Sequence, residues 1–474
     1  MGKKNVNTVK KPKKSFLGWI KENKTFTVAL GIILLLMIIG FILTQVLPAG
    51  RYVGEVYEEF KLDFPFWKFL CSPFLLFTTS TGKSVAIIVS FLFIICGVME
   101  TMTNSNVLTY IFDRIVYKFR NHKYLLLIIV IAFFMAVGSL IGCYDEIVAF
   151  VPLLIVLVAK FGFDKHMGIA VSLFAISAGF AAGIFNSFLV AIPQKIADVP
   201  DFSGMWMRIV AFLIFLAFTC AYVLFKAKKS KNTKSIEIKD DISKKNNPTL
   251  GKASIAFVLS VLFGFVLVIL TLFVPAFKPV KDSGCSLILL AGSFLLGGVL
   301  TAFIIKMPPK TFIRHFTKGI RSTLMAAILL LLASSISYTL ETSCRLPTIL
   351  HIFVEATMGI SPLAFLFIFY ALFLLFGLFI SSGSSRAFLL IPILAPIAKE
   401  YGVLYPMLLA FALADGMVSL MYPTNPILIA ILNMTKTSYG EYIKKNWIYF
   451  LGFFTLSILL LCFAYAVGYN AYPF

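Results

Sequence analysis

Polar and charged residues interrupt the apolar sequence at a few places, and their types suit the binding of a small charged molecule. The candidate site residues are Asp145, Glu146, Asn186, Ser187, Ser382, Gly383, Ser384, Ser385, Arg386, Asp415, Thr424 and Asn425. Carboxylates accept hydrogen bonds from ammonium or guanidinium groups, whereas arginine, serine hydroxyls and backbone amides donate to a carboxylate. The set therefore predicts recognition of a small-molecule substrate that carries charge.

The same sequence predicts no enzyme. Its seven cysteines and four histidines are scattered, without a Cys-x-x-Cys pair or metal-ligand spacing. Neither a Gly-x-Ser-x-Gly motif nor a phosphate-binding loop occurs. We therefore expect no catalytic residues, no metal and no cofactor.

A membrane-embedded enzyme and a channel are competing hypotheses. An enzyme would need a nucleophile with its base, or a metal, and a channel would need polar stripes along a pore.

Composition indicates which elements must position these residues. Of the 474 residues, 60% are hydrophobic and 13% are charged, whereas soluble domains carry about 25% charged residues. At least eight segments reach the roughly 18–20 apolar residues that cross a bilayer. The sequence therefore predicts an all-α polytopic membrane protein.

The net charge of +21 is concentrated beside the apolar segments. Basic clusters, interpreted as loops or termini, occupy the N-terminus, Arg114–Lys123, Lys226–Lys252 and Lys306–Arg321. This placement follows the positive-inside rule and favours attraction to anionic lipid. It predicts a cytoplasmic N-terminus, a C-terminus on the opposite side, membrane lipids as partners and no nucleic-acid partner.

Three blocks of sequence recur in the same order at offsets of 239 to 241 residues. The matched blocks are Met99–Phe112 with Leu340–Phe353, Asp145–Gly162 with Ser385–Gly402, and Phe185–Ile192 with Thr424–Ile431. Nearly constant offsets predict two structural repeats. The predicted divisions are a basic cytoplasmic N-terminus at 1–25, a first repeat at 26–228, a cytoplasmic linker at 229–252, a linking helix at 253–284 and a second repeat at 285–474. Because one extra helix separates the repeats, loop charge predicts that they are inverted, as in many secondary transporters.

Each repeat is predicted to contain a re-entrant helical hairpin and a discontinuous helix. The hairpins are 122–162 and 360–400, with polar tips at 138–146 and 381–386, and the helices break at 183–187 and 421–426. Unwound backbone is tolerated at membrane depth only against protein or a water-filled cavity, so these breaks are expected to surround a binding site. Packing kinks are the alternative for the breaks, and two full crossings are the alternative for each hairpin.

Several segments resemble the YfcC-type branch of the DcuC-like carriers, in the ion transporter superfamily. They read YDEIVAFVPLLIVLVAKFGFD, AAGIFNSFLVAIPQKIA, SGSSRAFLLIPILAPIAKEYGV and ADGMVSLMYPTNPILIAIL. The resemblance implies a carrier with two hairpins per protomer and often a dimeric scaffold, so a homodimer is expected. Abundant Lys, Phe and Ile favour a bacterial genome, and the expected location is therefore a bacterial inner membrane, crossed several times. The resemblance also implies transport of C4-dicarboxylates or exchange of basic amino acids of the arginine/ornithine kind. The chain departs from that branch at Asp145, Ser187 and Arg386.

The charges in the apolar zone favour a cationic substrate. By position, the ionisable residues there are Glu100, Asp145, Glu146, Glu341, Arg386 and Asp415. Five of these six residues are acidic, whereas a dicarboxylate site would need the opposite balance. Charged residues at this depth are costly and usually functional.

The predicted function is therefore exchange of basic amino acids by alternating access. Asp145, Glu146 or Asp415 would bind the substrate's ammonium or guanidinium group, and Arg386 with the hairpin amides would bind its carboxylate. Arg386 could instead simply pair with Glu146 or Asp415. Ion-coupled transport of C4-dicarboxylates or another small carboxylate is the alternative function.

Overall fold

Helices make up nearly all of the structure. The computed structural model describes residues 24–53, 56–119, 121–142, 144–200, 202–229, 247–273, 286–355, 359–380 and 382–470. Residues 1–23 of the basic N-terminus, 230–246 of the predicted linker, and Cys143 and Ser381 of the two polar tips lie outside these ranges. Ser187 is described by its backbone alone.

The described residues include ten helices that are long and apolar enough to cross a membrane. This confirms the predicted all-α polytopic membrane fold. Two of these segments, at 165–182 and 404–434, are almost wholly buried inside the protein. Because their side chains meet other helices rather than lipid, these two segments form the centre of the molecule.

The chain begins with a long helix, a short β-hairpin and two further long helices. The elements are α1 (Lys24–Val46), β1 (Ala49–Val53), β2 (Val56–Phe60), α2 (Phe66–Leu70), α3 (Ser72–Leu75), α4 (Ser80–Asn104) and α5 (Val107–Phe119). The strands pair antiparallel, with Ala49 opposite Phe60. This hairpin was not predicted from the sequence. It is tied to the second half of the chain by the Tyr57 hydroxyl, which donates to Thr348 Oγ1 at 2.8 Å.

The next section contains the first two helix breaks. The elements are α6 (Lys123–Ala136), a π-helical turn (Val137–Ile141), α7 (Ile147–Lys160), α8 (Lys165–Ile169), a second π turn (Ala170–Phe174), α9 (Ala175–Ala182), a third π turn (Ser187–Ala191), α10 (Ile192–Ile196) and α11 (Met205–Lys229). The chain leaves α6 through Gly142, whose φ of +79° is a conformation that glycine adopts without steric cost. The helical path therefore ends at Ile141 and resumes at Ile147, and it ends at Ala182 and resumes at Ser187. Both interruptions lie within the predicted segments 138–146 and 183–187, and the first is shorter than predicted because 138–141 belongs to a π turn.

The second half has the same order of broken helices. Its elements are α12 (Pro248–Phe273), α13 (Ser286–Ile304), α14 (Pro309–Thr342), α15 (Leu346–Glu355), α16 (Pro362–Phe379), α17 (Gly383–Glu400), α18 (Leu404–Met421), α19 (Pro426–Met434) and α20 (Tyr439–Ala466). The interpretation of Lys306–Arg321 as a loop was wrong, because most of this segment forms the first turns of α14.

The predicted polar tip at 381–386 is also shorter than expected. Gly383 to Arg386 form the first turn of α17, with Ser382 as its N-cap, and α16 ends at Phe379. Serine is a preferred N-cap because its hydroxyl accepts a hydrogen bond from the first turn. The serines therefore start a helix instead of forming an extended loop.

The broken elements pack crosswise between the two halves of the chain. The π turn at 187–191 and α10 pack against α17, and α19 packs against α7. In addition, α9 packs against α18. The helical segment that follows each break therefore contacts the predicted hairpin in the other half of the chain. These contacts bring both hairpin tips to the centre of the molecule.

Candidate functional site

Both hairpin tips contact the same turn, Asn186–Leu189. A Cβ added to Gly142 of the first tip would lie 2.7 Å from Asn186 Oδ1. A Cβ added to Gly383 of the second tip would lie 2.9 Å from Leu189 Cδ2. These separations are shorter than Cβ contacts permit, so a larger residue at either glycine would force the Asn186 or Leu189 side chain to move. The structure thus brings together two segments that lie some 240 residues apart in the sequence.

The most deeply buried charges of the site form an ion pair between Arg386 and Asp415. The guanidinium Nη2 donates to Asp415 Oδ1, and the two residues are only 1% and 3% exposed. A Cβ at Gly377 would lie 2.8 Å from the guanidinium Nη1, so the α16 backbone covers the arginine closely. Asp415, and not Glu146, is the partner of Arg386. Both residues belong to the same predicted repeat.

Hydrogen bonding leaves the Arg386 guanidinium incompletely paired. Its Nε atom has no hydrogen-bond partner among the residues that the structure describes. A buried donor without a partner loses its hydration without replacement, which costs about 1–3 kcal/mol. A substrate carboxylate placed at this nitrogen would remove that cost.

The first tip contributes carboxyl groups without compensating cations. Glu146 is 7% exposed and Asp145 is half-buried. Within the described ranges, neither has a cation at ion-pair distance. Asp145 is close enough to Asp415 for their charges to repel. The region therefore holds three carboxyl groups and one guanidinium, an arrangement that favours the entry of a cation.

Tyr144 links the first tip to the second half of the chain. Its buried hydroxyl donates to the Ser419 carbonyl at 3.0 Å, one helical turn after Asp415 on α18. Tyr144 was not among the site residues predicted from the sequence. Its position next to Asp145 at a hairpin tip is a signal that could have identified it. Its hydrogen-bond partner, the Ser419 carbonyl, lies 275 residues away and has no local sequence signal.

Asn186 and Asn425 lie at equivalent helix breaks and accept the same pattern of hydrogen bonds. In each case Oδ1 accepts hydrogen bonds from the backbone N–H groups of the second and third following residues, at 2.9 and 3.1 Å. Both side chains are buried. Asn186 Nδ2 additionally donates to the Gly138 carbonyl at 3.3 Å. The two asparagines were predicted to bind substrate, and their oxygens here cap the helical segments that follow each break.

Substituting either asparagine should lower both stability and transport. Asn186→Ala or Asn425→Ala is expected to lower the free energy of unfolding by about 1–2 kcal/mol, because a helix cap is lost. Transport should fall as well, with the larger loss for Asn186→Ala, which also frees the Gly138 carbonyl. Thermal unfolding and substrate exchange measure the two effects. Asn433→Ala is the control, because Asn433 bonds only to the Ile429 carbonyl of its own helix; an equal effect there would contradict the special role of the caps.

The remaining hydroxyls differ in their environment. Ser382 is exposed and its Oγ accepts from the Ser385 N–H at 3.3 Å, while Ser384 and Ser385 are half-buried. Thr424 is buried, and its Oγ1 has no partner in the described part of the chain. Thr424 therefore offers a free hydroxyl at the second break. In the same described ranges, no group of three or more His, Cys, Asp or Glu residues could hold a metal ion.

Comparisons with known proteins match this chain along most of its length. The family model described as DcuC, C4-dicarboxylate anaerobic carrier, matches residues 26–466. The chain is 27% identical over 357 residues to YfcC of Escherichia coli K12, provisionally named a basic amino acid antiporter; the match covers 70% of this chain and 68% of that protein. An uncharacterised protein of Haemophilus influenzae Rd is 23% identical over 360 residues, covering 75% and 70%. Among solved structures, the YdaH transporter of Alcanivorax borkumensis aligns with a TM-score of 0.47 at 17% identity, covering 95% of this chain and 100% of that one.

Proposed function

We propose that this chain, which belongs to the DcuC family of C4-dicarboxylate carriers, exchanges basic amino acids of the arginine/ornithine kind across the plasma membrane by alternating access. The family match and the ten apolar helices make it a multi-pass secondary transporter. The substrate and the exchange mode are the proposal. It also includes a bacterial inner membrane, a cytoplasmic N-terminus, a C-terminus on the opposite side and a homodimeric assembly.

The charge balance of the site carries the substrate assignment. Asp145, Glu146 and Asp415 supply three carboxyl groups, and Arg386 supplies the single guanidinium of this cluster. An isolated charge at low dielectric is costly unless an opposite charge compensates it. Arginine and ornithine bring two cationic groups and one carboxylate, which matches this imbalance. A dicarboxylate would add two more negative charges.

The two hairpin tips suggest how such a substrate is oriented. Glu146 and Arg386 occupy equivalent positions in the aligned sequence blocks but carry opposite charges. The side-chain cation is assigned to Asp145 and Glu146, and the α-carboxylate to Arg386 and the first amides of α17. A helix N-terminus favours an anion, since its N–H groups lack intrahelical partners.

The ion pair suggests a reason for exchange. Without substrate, Arg386 neutralises Asp415 from within the protein. When a basic amino acid enters, its α-ammonium group replaces Arg386 as the partner of Asp415, and Arg386 binds the substrate carboxylate. In the absence of substrate, the Arg386–Asp415 ion pair holds the site closed. The carrier therefore alternates between its two orientations most readily when substrate is bound. This mechanism requires the Arg386–Asp415 contact to loosen in every cycle.

Alternating access is supported by the paired packing of the two halves. The contact of α10 with α17 has its counterpart in α19 with α7, and α6 with α9 has its counterpart in α16 with α18. Such matched contacts are expected if two repeats form the protein. Hairpins and half-helices that contact each other across the centre can move together against the remaining helices, as proposed for inverted-repeat carriers.

Transport of a C4-dicarboxylate is the second candidate function. The description of the matching family favours it, as does the unpaired Nε of Arg386. In this alternative, Arg386 and the α17 amides bind one carboxylate, and a coupling ion or proton offsets the charge of the three carboxyl groups.

Counterflow in proteoliposomes distinguishes the two functions. Vesicles loaded with unlabelled ornithine are expected to accumulate labelled arginine, whereas vesicles loaded with unlabelled succinate should not accumulate labelled succinate. Protein-free vesicles and vesicles without internal substrate are the controls. Succinate counterflow without arginine entry would establish the dicarboxylate alternative and end the basic amino acid proposal.

A further inference from the structure

A basic surface cavity lies on α14, away from the Arg386–Asp415 site. It has a volume of about 460 Å³ and is lined by Arg314, His315, Thr317, Lys318 and Arg321. Arg314, Lys318 and Arg321 follow one another at four and three positions, so these three cations share one face of the helix. The cavity therefore presents a concentrated positive charge on a single helical face.

This positive charge is only partly compensated. Lys318 pairs with Glu100 of α4. Among the described residues, neither Arg314 nor Arg321 has an acidic partner at ion-pair distance, and both side chains are exposed. Guanidinium groups bind phosphate oxygens in a two-pronged geometry. Two free arginines beside a cavity thus suit a phosphate-bearing ligand.

The length of α14 places the cavity at the level of lipid headgroups. Its 34 residues span about 51 Å at a rise of 1.5 Å per residue, whereas the hydrocarbon core is about 30 Å thick. The apolar C-terminal part fills the core and leaves the basic first turns outside it. On the same face, Leu324 and Ile328 are 45% and 48% exposed, so the basic cavity continues directly into an apolar stripe.

We propose that this cavity binds the phosphate of an anionic phospholipid, such as phosphatidylglycerol or cardiolipin. Arg314 and Arg321 hold the phosphate, Lys318 contributes charge while paired with Glu100, and the acyl chains lie along Leu324 and Ile328. Both parts of the face match an amphiphile: the cations match its headgroup and the apolar stripe matches its chains. A soluble phosphate compound would use only the first part, and a second copy of the chain would bring its own cations to a face that is already basic.

Lipid retention by the purified full-length protein tests this proposal. Native mass spectrometry and thermal unfolding are measured with added cardiolipin and, separately, with phosphatidylcholine and with inorganic phosphate. Arg314→Gln/Arg321→Gln should lose cardiolipin affinity by roughly tenfold or more, since each cation contributes to attraction of anionic lipid. Lys228→Gln/Lys229→Gln removes the same charge from the end of α11, where both lysines are exposed, and should retain wild-type affinity.

Four outcomes would overturn the lipid site. The first is cardiolipin binding by the α14 double variant that equals binding by the wild type, and the second is a loss of binding in the α11 control that equals the loss in the α14 variant. The third is stabilisation by inorganic phosphate that equals stabilisation by cardiolipin. The fourth is a changed monomer–dimer ratio in the α14 variant without a change in lipid binding. The last would assign this face to a subunit interface. Arginine counterflow is recorded in parallel, so that a loss of transport is distinguished from a loss of lipid.

Discussion

Replacing Asp415 by leucine is expected to abolish arginine exchange and to lower the free energy of unfolding by about 3–5 kcal/mol, because it leaves the buried Arg386 without its partner. Arg386→Met should be similarly inactive, since it removes the cation assigned to the substrate carboxylate and leaves Asp415 near Asp145. Thermal unfolding in detergent and ornithine–arginine counterflow measure the two effects. Each single variant should thus be both less stable and inactive.

The double variant Arg386→Met/Asp415→Leu separates stability from function. Replacing a buried ion pair by apolar residues of similar volume is often neutral or stabilising, so the double variant should regain most of the lost stability. Exchange should stay absent, because both charges assigned to the substrate are gone. If the stable double variant still transports arginine, the pair is purely structural and Arg386 does not bind substrate.

Neutralising the first hairpin tip is expected to weaken the binding of cationic substrates. In Asp145→Asn/Glu146→Gln, the KM for arginine should rise by roughly 10- to 100-fold, because a hydrogen bond to a charged group contributes about 1.5–3 kcal/mol. The shape of the site changes little, since each substitution replaces one oxygen by an NH₂ group. Concentration dependence of arginine uptake under exchange conditions gives the KM.

Two comparisons make this second prediction specific. Citrulline has nearly the shape of arginine but a neutral side chain, so the double variant should lose most of the discrimination between the two. Glu100→Gln is the matched control, because Glu100 is a carboxylate paired with Lys318 on another pair of helices; its KM should stay close to that of the wild type. An unchanged arginine KM in the double variant would remove Asp145 and Glu146 from the site.

Local sequence patterns predicted much of the helical framework. Apolar length predicted the membrane helices. Gly, Asn and Pro predicted interruptions at 138–146, 183–187 and 421–426, and the helices are interrupted within each of these segments. The alignment of Asn186 with Asn425 anticipated that both would have the same role, which the structure shows to be helix capping. The repeat boundaries, the re-entrant path of the hairpins and the inverted orientation stay predictions.

Two local features were predicted poorly because hydropathy reports burial in lipid rather than helicity. Lysine and arginine are good helix formers, so the basic residues up to Arg321 continue α14 beyond its apolar part. The strands of the β-hairpin are only five residues long each and half of their residues are exposed, and they have neither an apolar run nor a clear alternation. Both features lie outside the long apolar segments from which the fold was inferred.

The sequence by itself determined that this protein is a bundle of membrane helices with charged residues at their breaks, because helix length and helix breaking depend on residues close in the chain. Only the tertiary structure decided that Arg386 pairs with Asp415, that both tips meet the turn after Asn186, and that Tyr144 reaches Ser419. These contacts depend on how helices far apart in sequence pack. Burial leaves each of these charges and hydroxyls few partners, and packing determines which partner is within reach.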